Sequence, residues 1–285
     1  MMKLLSNVTG LHTATAIYFY HIPKTAGTTL NTVLKANFSP EGICPAQLYS
    51  QLLALTPEMR NRYHLYTGHF YSGLSTILDI SLQYITMLRD PIDRALSHYG
   101  HIVRDPYHYY HQRAQEFDSF AEFMHDSELR QTISNFQVRA LALDIDPVGI
   151  ASSLSVKDLA RLQLERRLES WPTSESDAEL LAKAKARIDQ FSFIGIAEYF
   201  DDSAQLLCDS FGWKLPQGYM PENVNSGRLD WGALNSLEQD ALRDLNRLDS
   251  MLYDYAVSSF RTTFQARYGR QPKRTKESGA WRALG

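Results

Sequence analysis

Positions 17–22 form an unbroken apolar and aromatic block, Ile-Tyr-Phe-Tyr-His-Ile. It ends at Pro23-Lys24-Thr25-Ala26-Gly27-Thr28-Thr29, after which Leu30 and Val33 resume at helical spacing. That change of period predicts a buried strand, a loop of small residues and then a helix. A second block, Tyr84-Ile85-Thr86-Met87-Leu88, also reads as a buried strand and runs into Arg89-Asp90-Pro91. There Asp90 suits an N-cap and Pro91 the first helical position, where its missing N–H costs nothing. Shorter strands are predicted at 63–67, ending at Gly68-His69, and at 191–196, leading through Glu198 into another helix. Residues about 115–190 read as mostly helical, with charged runs at 160–170 and 176–189. Ser236-Leu237-Glu238-Gln239 predicts a capping box, opening a helix with Leu242, Leu245, Leu248, Leu252 and Tyr255 as its core stripe. Strands alternating with helices imply an α/β fold, a parallel sheet flanked by helices. One domain is expected over 1–267, with a helical excursion at about 115–190 shaping a cleft, and then a basic flexible tail at 268–285.

The loop after the first block has the chemistry of a phosphate cradle. A helix N-terminus offers unpaired backbone N–H groups and the positive end of the helix dipole, to which Lys24 adds a charge. The usual nucleotide loop places its lysine after the glycines. Here Lys24 precedes Gly27-Thr28-Thr29, and no Walker A match occurs in the chain. The second motif departs from the usual nucleotide site in the same direction. A Walker B strand ends in a metal-binding aspartate, whereas this one ends in Arg89. A guanidinium grips phosphate through two parallel hydrogen bonds, and Ser97, about two helical turns on, adds a hydroxyl. Two cationic phosphate sites imply a doubly anionic ligand and no metal.

His21-Ile-Pro-Lys-Thr-Ala-Gly-Thr-Thr-Leu30 resembles the 5′-phosphosulfate loop of the sulfotransferases related to heparan sulfate 2-O- and 6-O-sulfotransferases. Arg89-Asp-Pro-Ile-Asp-Arg-Ala-Leu-Ser97, about 65 residues later, resembles their 3′-phosphate motif, R-D-P-x-x-R-x-x-S. The resemblance implies a P-loop-NTPase-like fold and 3′-phosphoadenosine 5′-phosphosulfate as donor, with no metal required. Lys24, Thr25, Ala26, Gly27, Thr28 and Thr29 would hold the phosphosulfate end, and Arg89 and Ser97 the 3′-phosphate. Ser226 and Arg228, in the polar loop after Pro221, are expected to touch the nucleotide.

Transfer to an alcohol needs a base and a cation beside the departing phosphate oxygen. Lys24 suits the second task. Histidine is the natural proton acceptor near neutral pH, and His69 follows Gly68 in a segment resembling the one that carries the family's catalytic histidine. The family's second histidine, two positions earlier, is Thr67 here. Asn135-Phe-Gln137-Val-Arg139 resembles an N-x-Q-x-R segment near the family's active centre, so Asn135 and Arg139 are expected on the acceptor side. Tyr107 and His108, in an aromatic cluster suited to packing on sugar rings, are expected there too. His98 and His101 share a helix face, but no acidic or cysteine partner is fixed beside them and no metal is assigned.

Composition narrows the partners. The 285 residues are 44% apolar with a net charge of −3, giving no global attraction to nucleic acid. Cys44 and Cys208 are far apart and read as free thiols. The polar N-terminal segment suggests neither signal peptide nor membrane anchor, and on that ground a cytoplasmic, bacterial enzyme is expected. The acceptor expected from the resemblance is a hydroxyl of a saccharide or glycolipid. Two other readings share the cradle: a nucleotide kinase or phosphotransferase, and a non-catalytic protein that binds a nucleotide or glycan.

Overall fold

A computed structural model describes residues 15–155, 157, 158, 166, 173–218 and 229–275. Four parallel strands make the sheet: β1 (Ala16–Tyr20), β2 (Leu65–Tyr66), β3 (Leu82–Leu88) and β4 (Phe193–Ile196), in the order β2-β1-β3-β4. All five residues of β1 are buried, as expected of a parallel strand covered on both faces. Its register aligns Tyr20 with Thr86 of β3, and Leu88 of β3 aligns with Ile196 of β4. The chain leaves β1 toward β2 and then crosses back to β3 on the other side of β1. The carboxyl ends of β1 and β3 therefore flank a topological switch point, where open α/β sheets bind their ligands.

The helices Gly27–Lys35, Pro91–Arg104 and Phe200–Phe211 follow β1, β3 and β4. Asp90 caps the second of these by accepting from the Asp93 N–H at 3.0 Å, with Pro91 at its first position. The helical excursion divides differently from the expectation. Phe136–Ala142 and Asp177–Ile188 pack against each other and belong to the main core with the sheet. A second core gathers Leu96, Ile102, Phe120, Phe123, Leu129 and Ile133 with Leu234 and Leu242.

The last helical stretch also departs from its reading. Asn235, not Ser236, is the cap, exchanging hydrogen bonds with Glu238. The stripe is split at Asn246 into helices Ser236–Leu245 and Arg247–Tyr268. Leu242 serves the second core, whereas Leu248 and Leu252 serve the first. The basic tail is fastened as far as Thr275. Arg270 pairs with Asp202 at 2.7 Å, the Lys273 N–H donates to Asp202 at 2.6 Å, and the Asp201 N–H donates to Thr275 at 3.3 Å. Residues 276–285 lie outside the described ones.

Candidate active site

The loop leaving β1 is bent by two left-handed residues, Lys24 at φ 70° and Ala26 at φ 66°. That conformation costs a residue with a side chain about 1–2 kcal/mol, so the turn is held by its surroundings. Thr25 is buried and donates its hydroxyl to the Ile22 carbonyl at 2.8 Å, which ties the turn together from inside. The first intrahelical bond runs from the Leu30 N–H to the Ala26 carbonyl, and Ala26, at the cap position, has no polar side chain to cap the helix. The N–H groups of Gly27 and Thr28 therefore open the helix N-terminus toward an anion. Gly27 has no alternative at its position: a Cβ there would lie 1.9 Å from Nε2 of His21.

The second motif meets the first directly. Nη1 of Arg89 donates to the Lys24 carbonyl at 3.1 Å, and Nη2 lies 3.9 Å from Asp93. The Arg89 backbone is pinned by Gln137, whose side chain accepts from its N–H at 3.0 Å and donates to its carbonyl at 2.9 Å. Beside it, Glu198 accepts from the Asp90 N–H at 3.1 Å and from the Tyr253 hydroxyl at 2.6 Å. Burial holds the Glu198 carboxyl above its usual range. Arg94, fully buried, donates to the Thr132 carbonyl at 2.8 Å and lies 4.7 Å from the Phe136 ring centre. Ser97 is half-buried on the same helix.

His69 follows β2 and is clamped along its backbone. Its N–H donates to the Gln47 carbonyl at 2.8 Å, and the Phe70 N–H donates to the Tyr18 hydroxyl at 3.1 Å. Gly68 makes this approach possible, since a Cβ there would sit 2.6 Å from the Gln47 carbonyl oxygen. Nδ1 of His69 lies 2.9 Å from the His21 carbonyl. A carbonyl only accepts, so Nδ1 carries the proton and Nε2 keeps its lone pair. Burial lowers the His69 pKa below the ordinary 6.5, partly offset by that carbonyl. The imidazole is accordingly neutral at pH 7, with Nε2 as its proton acceptor.

The acceptor-side expectations divide. Tyr107 is 89% exposed, and His108 packs against His98 and His101 with ring centres 5.7 and 5.4 Å apart. Burial pushes His108 down to about 4, and the Lys24 charge depresses His98, His101 and His108 alike. These rings therefore lie within electrostatic reach of the loop. Asn135 and Arg139 make contacts within the scaffold. The Asn135 side-chain oxygen accepts from the Leu248 and Asp249 N–H groups at 2.9 and 3.1 Å, while Asp249 accepts from those of Gln137 and Val138 at 3.0 and 2.7 Å. Each residue thus caps the other's helix. Arg139 donates to the Gln131 carbonyl at 2.8 Å. Ser226 and Arg228 lie outside the described residues. Gln137, Glu198 and His21 are contacts that sequence reading did not assign. Gln137 stood inside the quoted N-x-Q-x-R segment, between the two residues chosen from it.

The sequence model of the sulfotransferase family matches residues 12–256. The chain belongs to the sulfotransferase family. It is therefore read as a sulfotransferase enzyme. The chain is 26% identical to heparan-sulfate 6-O-sulfotransferase 3-B of Danio rerio, over 92% of this chain and 67% of that protein. It is similarly 26% identical to heparan-sulfate 6-O-sulfotransferase 1 of Cricetulus griseus, over 92% and 70%, and of Homo sapiens, over 92% and 69%. These matches overturn the expectation of a bacterial cytoplasmic enzyme, because the relatives are animal proteins. That expectation rested on the polar N-terminal segment, of which the first fourteen residues lie outside the described ones. Among the described residues, no helix is long and apolar enough to cross a membrane.

Proposed function

We propose that this sulfotransferase moves a sulfuryl group from 3′-phosphoadenosine 5′-phosphosulfate to a carbohydrate hydroxyl, with His69 as base. The observation that carries the reading is the bond from Arg89 to the Lys24 carbonyl. It joins a helix N-terminus suited to the phosphosulfate end with a guanidinium suited to a second phosphate. The donor set fits that ligand, for it offers backbone N–H groups, Lys24 and Arg89, all of which favour anions. The donor supplies the sulfuryl group and a phosphate leaving group.

The protein's part is positioning and proton handling. Gly27 and Thr28 present their N–H groups to the 5′ end, with Thr29 behind them. Arg89 and Ser97 hold the 3′-phosphate, which distinguishes this donor from ATP. Nε2 of His69 takes the proton of the acceptor hydroxyl, and the resulting imidazolium is stabilised by the His21 carbonyl on Nδ1. Lys24 places a cation where negative charge develops on the phosphate oxygen. Tyr107 and His108 offer an aromatic surface for the sugar.

The relatives' names suggest the first acceptor to try, heparan sulfate from which 6-O-sulfate has been removed. Incubation with radiolabelled donor should transfer label to the polysaccharide. His69→Ala should lower turnover about a hundredfold or more with donor binding intact. Near-normal turnover by that variant would remove His69 as the base.

A further inference from the structure

We propose that His21 is a positioning residue for His69, holding the base ring by its face as well as by its backbone carbonyl. The inference rests on the reading of His69 as the proton acceptor and assigns the part of the site that orients it.

Three rings are stacked in a row. Phe19, fully buried in β1, lies 4.9 Å from His21 with an interplanar angle of 16°, and His21 lies 4.3 Å from His69 with an angle of 27°. The backbone clamps on His69 fix its Cα but not the plane of its imidazole. His21 supplies two contacts that bear on that plane, the carbonyl that accepts from Nδ1 and the ring face at 4.3 Å, while the Tyr71 ring lies farther off at 6.5 Å and tilted by 38°. The carbonyl survives any substitution at His21; the ring does not. The His21 edge in turn lies against Gly27 in the donor loop, at a spacing that leaves no room for a methyl group. One side chain therefore touches both the base and the phosphate cradle, so that the base is registered against the loop.

The electrostatics favour this role. The groups facing His21 are His69, the Lys24 charge, the Phe19 ring and the Thr67 backbone, and burial is the main reason that its pKa falls well below 6.5. Burial keeps the His21 ring neutral near pH 7, so that it adds no charge of its own beside His69. A planar uncharged ring is what the position demands.

The test uses the full chain with 6-O-desulfated heparan sulfate as acceptor. His21→Phe keeps a planar face, His21→Leu fills a similar volume without one, and His21→Ala opens the site to water. His21→Phe is expected to retain more of the parent kcat than His21→Leu, which should lose about tenfold or more. In His21→Ala the acid limb of the kcat profile should move up toward pH 6.5, because water reaches His69. Equal kcat for the Phe and Leu variants, or an acid limb that stays in place in His21→Ala, would overturn the proposal. His69→Ala in the same series separates the two claims. If it turns over normally, the base assignment itself fails. If it is inactive while the Phe and Leu variants match, only the role of His21 is lost.

Discussion

The side-chain amide of Gln137 pairs with both backbone groups of Arg89, accepting from the N–H at 3.0 Å and donating to the carbonyl at 2.9 Å. It extends β3 by one residue's worth of hydrogen bonding and so sets where the guanidinium starts. Replacing Gln137 with Leu keeps the volume but leaves two backbone polar groups without these partners. Leaving a buried donor or acceptor unsatisfied costs about 1–3 kcal/mol. Gln137→Leu should therefore lower the denaturation midpoint and weaken adenosine 3′,5′-bisphosphate about tenfold, as read by urea titration and calorimetry. Unchanged affinity would mean that Arg89 needs no such support.

Arg89 itself should discriminate by phosphate number. Arg89→Ala is expected to weaken adenosine 3′,5′-bisphosphate by roughly 2–4 kcal/mol, about thirty- to a thousandfold, the loss expected for charge-assisted hydrogen bonds. Binding of adenosine 5′-monophosphate should change little. Equal weakening of both ligands would remove Arg89 from the 3′-phosphate.

Acid should act on turnover and on stability separately. Loss of solvent around the half-buried His69 ring lowers its pKa below 6.5. The pH profile of kcat/KM should therefore be flat with respect to this group above pH 6.5 and fall only at lower pH. His21, His98, His101 and His108 are also depressed, chiefly by burial. The unfolded chain thus binds protons near pH 6.5 that the folded chain refuses, until about pH 4 in the case of His108. Stability contributed by these groups is complete above about pH 6.5 and declines as pH falls through that window. Urea midpoints at pH 7.5, 6 and 5 should fall in that order, and a midpoint rising toward pH 5 would contradict the assignment.

The reciprocal caps of Asn135 and Asp249 should behave as one unit. Loss of an N-cap costs about 0.5–2 kcal/mol. Asn135→Ala and Asp249→Ala are each expected to destabilise by at least that amount, and the double variant by less than the sum, since contacting residues do not add. Strict additivity in urea unfolding would show that the two caps act independently.

What was legible in the sequence is what is local. Asp90 with Pro91, Gly68 with His69 and the loop from Lys24 to Thr29 each lie within a few residues, and all three appear where the pattern put them. The cap of the helix Ser236–Leu245 slipped by one position, because Asn235 also has an acidic partner three residues on, Glu238. The illegible part is long-range. Gln137 meets Arg89 across 48 residues, Glu198 meets Asp90 across 108, and Asp249 meets Gln137 across 112. Nothing in the spacing of Asn135-Phe-Gln137-Val-Arg139 shows that Gln137 faces Arg89 while its neighbours tie down helices and loops. The His21 stack was hidden similarly, since its partner ring belongs to a different strand connection 48 residues away.

The measurement that tests the central claim most directly is calorimetric binding of adenosine 3′,5′-bisphosphate with a chelator present, beside ADP and ATP with magnesium. A site built from Lys24, Arg89 and the helix N-terminus at Gly27 should bind the bisphosphate tightly without metal and the other two weakly. Preference for ATP with magnesium would contradict the donor assignment and the roles of Arg89 and Ser97.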